Sequence, residues 1–258
     1  MCRWGLWLSG LLLALFALQL TVLAFPQLVV TNCVQVGTVV LYYDEASSAD
    51  IETLAADVEM RLRGSGFYDS TRINRVFFFQ NQNLYALYAR LTMVPPGAQG
   101  FCLPVFNNSF VSAPIIAALA AGTGGLPRYS IWEGSPAHTI AHEIGHQYIV
   151  DRIGGKKISH WKREGLPEYV ANIALIRQDS LASLPDRVGV LNSGQMWSAT
   201  RHPERHNWDR IHYEAGLLVE FLIDVQSYTL TDIIADSVTR DETLAAMMAW
   251  VKEQNRRP

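Results

Sequence analysis

Residues 142–146 read HEIGH, which places two histidines and a glutamate within five residues of a chain that has seven histidines. On a helix, His142 and His146 project from one face on successive turns, so their imidazole nitrogens can bind one ion. Glu143 stands beside that face and can reach a water on the ion without binding the metal itself. The spacing therefore predicts a hydrolytic zinc site. The alternative is a solvated helix face that carries two surface histidines.

A hydrolytic zinc ion needs a third protein ligand and leaves its fourth position to water. The spacing HExxHxxGxxH does not supply that ligand, because Arg152 stands at the position of the third histidine. His160 matches no ligand pattern. Glu164 lies 18 residues after His146 in the stretch HWKREGLPEYVA. A carboxylate at the start of one helix can meet two histidines on another, and we expect Glu164 to complete the site.

These segments resemble the gluzincin metallopeptidases, in particular the catalytic module of the M1 aminopeptidases and small peptidase MA-like proteins. HEIGHQY is similar to that family's HExxHQW stretch, and WKREGLPEY is similar to its W-x-N-E-G-x-x-x-Y segment. The interval between the two is one residue shorter here than in the family. With a third segment, the similarity covers roughly 142–222. The resemblance implies a zincin-like fold, one Zn²⁺ ion and hydrolysis of peptide bonds.

The third segment is HYEAGLLVEFL at 212–222, which is similar to the family's Y-E-K-G-A helix. There a tyrosine donates a hydrogen bond to the oxyanion of the tetrahedral intermediate, and this role falls on Tyr213. The alternative is a core tyrosine on an amphipathic helix, and His212 is the neighbour that would serve instead.

Two residues near the ligands have two interpretations each. The resemblance implies that Glu168, four residues after Glu164, orients a ligating histidine; otherwise it is an exposed helix acid. His138 lies one turn before His142 on the same face, and it either supports the site or lies at the surface.

One element of the aminopeptidases is missing. Their G-x-M-E-N strand, whose glutamate holds the free amine of the substrate, has no counterpart, because Glu133 in RYSIWEG stands too close to His142. We therefore predict a zinc-dependent peptidase of endopeptidase type, with Glu143 as general base on a metal-bound water. Two rivals remain: an exported or anchored zinc protein that binds a partner without turnover, and a hydrolase of the same fold that acts on a non-peptide bond.

Two helices must position these groups. Ser135-Pro136 suits a helix start and Gly154-Gly155 a helix end, which frames HEIGH. Leu166 and Val170 begin the buried face of the second helix, with Pro167 in its first turn.

The first half of the chain alternates strands and helices, and the second half, from Ser135 onward, is mostly helical. Strands are expected at 34–44, 75–80 and 128–132, one or two strands within 101–114, and helices at 47–66 and 83–92. We predict an α+β, zincin-like domain over 25–258, with an α/β lobe that contains a mixed sheet at 25–134 and a mostly helical lobe at 135–258. Zinc would lie in the cleft between the lobes, and a sheet edge would hold an extended peptide substrate.

Residues 1–24 combine a short positive start with a long apolar run and are expected to export the chain. The run has the layout of a secretory signal cut before Phe25, and it is also long enough for an uncleaved membrane anchor. In an oxidising compartment Cys33 and Cys102 form either a disulfide or two free thiols. The net charge of −3 is spread along the chain without a basic stripe, so no nucleic-acid partner is indicated.

Overall fold

The structure is a computed structural model of the 258-residue chain and describes residues 2–45, 48–120, 135–178, 181–193, 203–235 and 237–256. The strand predicted at 128–132, together with Glu133, lies outside the described residues. Within the described ranges the chain has an α+β fold with a five-stranded mixed sheet and predominantly helical content. The coarse fold class predicted from the sequence is therefore confirmed.

The strands are β1 (Asn32–Val36), β2 (Val39–Tyr43), β3 (Asn74–Phe79), β4 (Gly100–Leu103) and β5 (Asn108–Ser112). The helices are α1 (Cys2–Ala24), α2 (Ser48–Gly64), α3 (Gln82–Leu91), α4 (Ala113–Ala120), α5 (Pro136–Ile153), α6 (His160–Arg177), α7 (Leu184–Ser193), α8 (Pro203–Glu220), α9 (Leu230–Ile234) and α10 (Arg240–Gln254). Short 3₁₀ turns lie at Pro26–Leu28 and Pro104–Phe106, and a π-helical turn follows α8 at Phe221–Val225.

The strand order in the sheet is β1-β2-β3-β5-β4. The three central strands run parallel, and the edge strands β1 and β4 are antiparallel to their neighbours. The single strand predicted at 34–44 is a hairpin instead, because the chain turns at residues 37–38 and Val36 pairs with Val39. The edge strand β4 packs against α5, the helix that carries HEIGH.

Apolar side chains alternate across the sheet and build a core on each face. On one face Val76 and Phe78 of β3 belong to the larger core, together with residues of α2, α5, α6 and α8. On the other face Phe77 and Phe79 belong to a smaller core with α3 and the last turn of α1. We call this smaller core the aromatic core, since it contains Phe77, Phe79, Tyr85, Tyr88, Phe101 and Phe110.

Small residues allow the helices of the larger core to cross closely. A Cβ atom at Gly145 of α5 would lie 2.8 Å from Cα of Pro167, and one at Gly165 of α6 would lie 2.3 Å from the carbonyl oxygen of Ala215. No side chain fits at either position. The prediction that Pro167 lies in the first turn of its helix is wrong, because α6 begins at His160 and continues through the proline.

The disulfide alternative is also wrong. Cys33 and Cys102 are free thiols on β1 and β4, which form opposite edges of the sheet. Four strand spacings separate these edges by about 19 Å. A disulfide requires Cα atoms within about 7 Å of each other.

A buried carboxylate connects the β1–β2 turn to α2. Glu59 accepts hydrogen bonds from the amide (3.0 Å) and hydroxyl (2.7 Å) of Thr38, from Arg63 (2.8 Å) and from the Tyr68 hydroxyl (2.6 Å). Burial alone would raise the pKa of Glu59, but these hydrogen bonds hold it below its ordinary value of 4.5. The carboxylate therefore stabilises the fold in its charged form.

We expect Glu59→Gln to lower the free energy of unfolding by about 1–3 kcal/mol at pH 7, because hydrogen bonds to a buried charged acceptor are lost. Since the folded-state pKa lies below 4.5, the contribution is complete above that pH and is lost as the pH falls through the folded-state value. Urea unfolding of the detergent-solubilised chain at several pH values measures both effects. Glu52→Gln, an exposed position on the same helix, is the control. If the difference in free energy of unfolding between wild type and Glu59→Gln were the same at pH 3 as at pH 7, this account would be contradicted.

Candidate metal centre

Three side chains from α5 and α6 converge where the two helices cross. Nε2 of His146 lies 3.4 Å from Oε2 of Glu164, and Nε2 of His142 lies 3.8 Å from the same oxygen. The ligand atoms of a tetrahedral zinc ion lie about 3.3–3.5 Å apart. The three atoms lie within 4.8 Å of one another and can hold a metal ion. The structure thus brings together all three metal ligands predicted from the sequence.

The two oxygens of Glu164 face different neighbours. Oε2 faces His142 and His146, whereas Oε1 accepts a hydrogen bond of 3.2 Å from Arg163 and lies 3.8 Å from Nε2 of His160. Because Oε1 of Glu164 contacts Arg163, Oε2 is the oxygen that faces His142 and His146. His160 is on the far side of the carboxylate, with 42% of its side chain exposed.

Behind the histidines lies Glu168, whose side chain is fully buried. One carboxylate oxygen lies 3.0 Å from Nε2 of His138, and the other lies 3.0 Å from Nδ1 of His142. Asn172 adds a hydrogen bond of 2.7 Å to the backbone carbonyl of Glu168. An exposed position for Glu168 or for His138 is therefore excluded. Both are buried parts of the site.

The Glu168 contact determines which nitrogen of His142 faces the metal position. Nδ1 of His142 and Oε1 of Glu168 lie 3.0 Å apart without the alignment of a hydrogen bond, and both are buried without a hydrogen bond to any other described residue. With the Nδ1 proton directed at Glu168, the lone pair of Nε2 faces Glu164, which is the tautomer that a metal-ligating histidine needs.

A second group of possible ligands consists of His142, Glu168 and His212. It uses Nδ1 of His142, which lies at hydrogen-bonding distance from Glu168, and Nδ1 of His212 is 3.9 Å from the same oxygen. The first group instead uses Nε2 of His142, the nitrogen that does not face Glu168, so the contact between His142 and Glu168 would be kept when a metal is bound.

The charges of the site favour a cation. Burial lowers the pKa of His142, but the nearby carboxylates of Glu168, Glu164 and Glu143 raise it to about 10. Burial likewise opposes ionisation of Glu164, yet contacts with the two histidines hold its pKa well below the usual range. Without a metal the carboxylates therefore keep His142 protonated, and a metal ion would displace that proton.

Glu143 is buried beside the ligands and lines a small cavity of about 160 Å³. Burial raises the pKa of its carboxyl group. Gly100 of β4 lies directly against it, since a Cβ atom at this glycine would be 3.1 Å from Cγ and Oε1 of Glu143. The edge strand therefore contacts Glu143, the general base predicted from the sequence. Nothing in the sequence indicates that Gly100 and Glu143 are neighbours.

Tyr213 is fully buried, and its hydroxyl donates a hydrogen bond of 3.1 Å to the backbone carbonyl of Arg187 on α7. Tyr213 therefore has the buried position that the alternative interpretation, a core tyrosine, predicts. His212 lines the cavity instead, together with Glu143 and His142. Its ring stacks on that of His142 at a centroid distance of 5.9 Å, and its Nε2 atom lies 3.9 Å from Glu164.

Comparison of the chain with protein-family models and with curated proteins gives no match. The interpretation of the site rests on its own geometry and on the motifs in the sequence.

We predict that Glu168→Gln lowers zinc affinity by about 10–100-fold, because the substitution removes the negative charge that faces Nδ1 of His142. Competition with a chromophoric chelator measures the affinity, and far-UV circular dichroism verifies the fold. Glu52→Gln serves again as control. Equal zinc affinity of Glu168→Gln and wild type would show that Glu168 does not orient a ligand.

Proposed function

We propose that this chain is a zinc-dependent peptidase with a zincin-like, two-lobed arrangement around the metal. The observation that carries the proposal is the convergence of two imidazole nitrogens and one carboxylate oxygen from α5 and α6 within 4.8 Å. A donor set of two histidines and one glutamate is that of catalytic zinc sites, which leave one position to water. A structural site would close this position with a cysteine or a fourth histidine.

His142, His146 and Glu164 would hold the ion. When bound, zinc supplies an activated water and polarises the carbonyl of the scissile bond. Glu143 stands beside the ligands without being one of them, which is the position of a general base. Its carboxylate accepts the proton from water and passes it to the leaving amine. The raised pKa of Glu143 that burial produces favours this role, because a general base works best when its pKa approaches the working pH.

The edge strand β4 suggests how a substrate would lie. Among the described residues β4 pairs only with β5, and we propose that its other edge accepts an added strand. An extended peptide that pairs there passes Gly100 and hence Glu143. The absence of a side chain at Gly100 keeps this approach open. The arrangement favours action within a chain, in line with the endopeptidase expectation.

For the oxyanion we propose His212 in place of Tyr213. The phenol of Tyr213 is engaged by Arg187, whereas His212 faces the cavity that contains Glu143. An imidazole N–H directed at the developing negative charge stabilises the transition state in the same way as a phenol O–H.

Glu143→Gln tests the proposal directly. The variant should retain zinc and lose cleavage of an unbiased peptide library by at least ~100-fold, because proton transfer by a positioned base contributes at least that much. Mass spectrometry of the digest gives the rates, and metal analysis gives the zinc content. A variant that holds zinc and cleaves as fast as wild type would remove this mechanism. Zinc-loaded wild type that cleaves no peptide would favour the rival, a zinc protein with a binding role.

His212→Gln and Tyr213→Phe form a second pair. We expect kcat/KM to fall by roughly 100-fold in His212→Gln, as for other oxyanion donors, and to change only a few-fold in Tyr213→Phe. The measurement uses a peptide identified in the library digest, with zinc content verified for each variant. A larger loss of kcat/KM in Tyr213→Phe than in His212→Gln would assign the oxyanion role to Tyr213.

A further inference from the structure

Helix α1 exposes apolar side chains along most of its length. The stretch Trp7–Ala24 has a mean hydropathy of 2.0, and only 6% of its residues are buried within the structure. The exposed members are Trp7, Leu8, Leu11, Leu12, Leu13, Leu15, Phe16, Leu18 and Leu20. Such a surface requires a lipid environment, which both a secretory signal and a permanent anchor would enter.

The last turn of α1 is different, because it belongs to the core of the domain. Leu23 is 6% exposed and packs in the aromatic core with Val30 and the strand phenylalanines. Its backbone carbonyl accepts a hydrogen bond of 2.8 Å from the side-chain amide of Asn108 on β5. One turn earlier, the side chain of Gln19 donates a hydrogen bond of 2.7 Å to the carbonyl of Leu91 at the end of α3.

Cleavage before Phe25 would damage the domain. It would remove Leu23 from the aromatic core and take the acceptor away from Asn108, which is fully buried. A buried amide donor without a partner is strongly unfavourable. A secretory signal has no structural role after export, whereas this helix ends inside the fold that it precedes.

The lengths also agree with a helix that spans a membrane. Residues 2–18, which precede the first contact of α1 with α3, would extend about 26 Å at 1.5 Å per residue, near the ~30 Å thickness of the hydrocarbon layer. The next turn is already packed in the domain, so no linker separates the two. Exposed apolar side chains surround this point: Phe25, Leu28 and Val29 directly after α1, and Met93 after α3.

We infer that α1 is a permanent membrane anchor whose last turn completes the aromatic core, and that the surface around Phe25, Leu28, Val29 and Met93 rests in the lipid interface. The domain is held flush against the bilayer. Phe101 of β4 lies in the same core as Leu23, and the preceding Gly100 lies against Glu143. The metal centre is thus linked to the anchor through the edge strand. This inference does not depend on the proposed peptidase activity.

The N-terminus of the mature protein is the first test. The full chain with a C-terminal tag is expressed in a bacterial host that has signal peptidase, and the membranes are washed with alkaline carbonate. We expect the tagged protein in the pellet, with the mass of residues 1–258 plus the tag. A chain that begins near residue 25, in any fraction, would overturn the inference, as would full-length protein released by the wash.

A matched pair of leucine variants tests the role of the last turn. In detergent micelles, Leu23→Ala should lower the thermal midpoint by roughly 5–10 °C, because it opens a cavity in the core. Leu13→Ala, on the exposed part of the same helix with 69% of the residue exposed, should change it little. Leu23→Val is included as a milder change in case Leu23→Ala does not fold. Equal midpoints for variants at the two positions would show that the last turn is not part of the core.

Discussion

The close crossing of α5 and α6 is the constraint on which the metal centre depends. His142 and His146 lie on α5 and Glu164 lies on α6, so a ligand set forms only if the two backbones approach without intervening side chains. Gly145, between the two histidines in sequence, lies against Pro167 and makes this approach possible. Gly165, next to Glu164, similarly lies against the backbone of α8, which carries His212. The relative positions of the three ligands and of His212 therefore depend on helix contacts at glycine.

A second layer of polar groups fixes the direction of the ligands. Glu168 lies between His138 and His142 in a fully buried position, and Arg163 occupies the outer oxygen of Glu164. Burial of Glu168 is tolerable because histidines on both sides hold its pKa well below the ordinary value. A buried carboxylate with this environment is costly unless the histidines remain close to it. The same electrostatic arrangement therefore stabilises the helix pair and orients its metal-binding atoms.

Helical spacing was sufficient to predict which of these groups share a face, although it left open whether Glu168 is buried. His142 and His146 are one turn apart, and Glu164 and Glu168 are one turn apart on the next helix, so each pair shares a face wherever the helices meet. The sequence could not decide between neighbours in the chain that compete for one position. Tyr213 and His212 are adjacent, and only packing against α7 determines that the tyrosine turns to Arg187 and the histidine to the cavity. Gly100 is distant in sequence from Glu143, and the sheet order brings them together. The hairpin at 37–38 was missed because both its strands are apolar and of β-type composition.

Metal binding by His142, His146 and Glu164 is the central claim, and anomalous diffraction at the zinc absorption edge tests it most directly. In crystals of the zinc-loaded full chain, we predict one ion within about 2.0–2.2 Å of the two Nε2 atoms and of one Glu164 oxygen. An ion bound elsewhere, or one that Glu164 does not contact, would contradict the account.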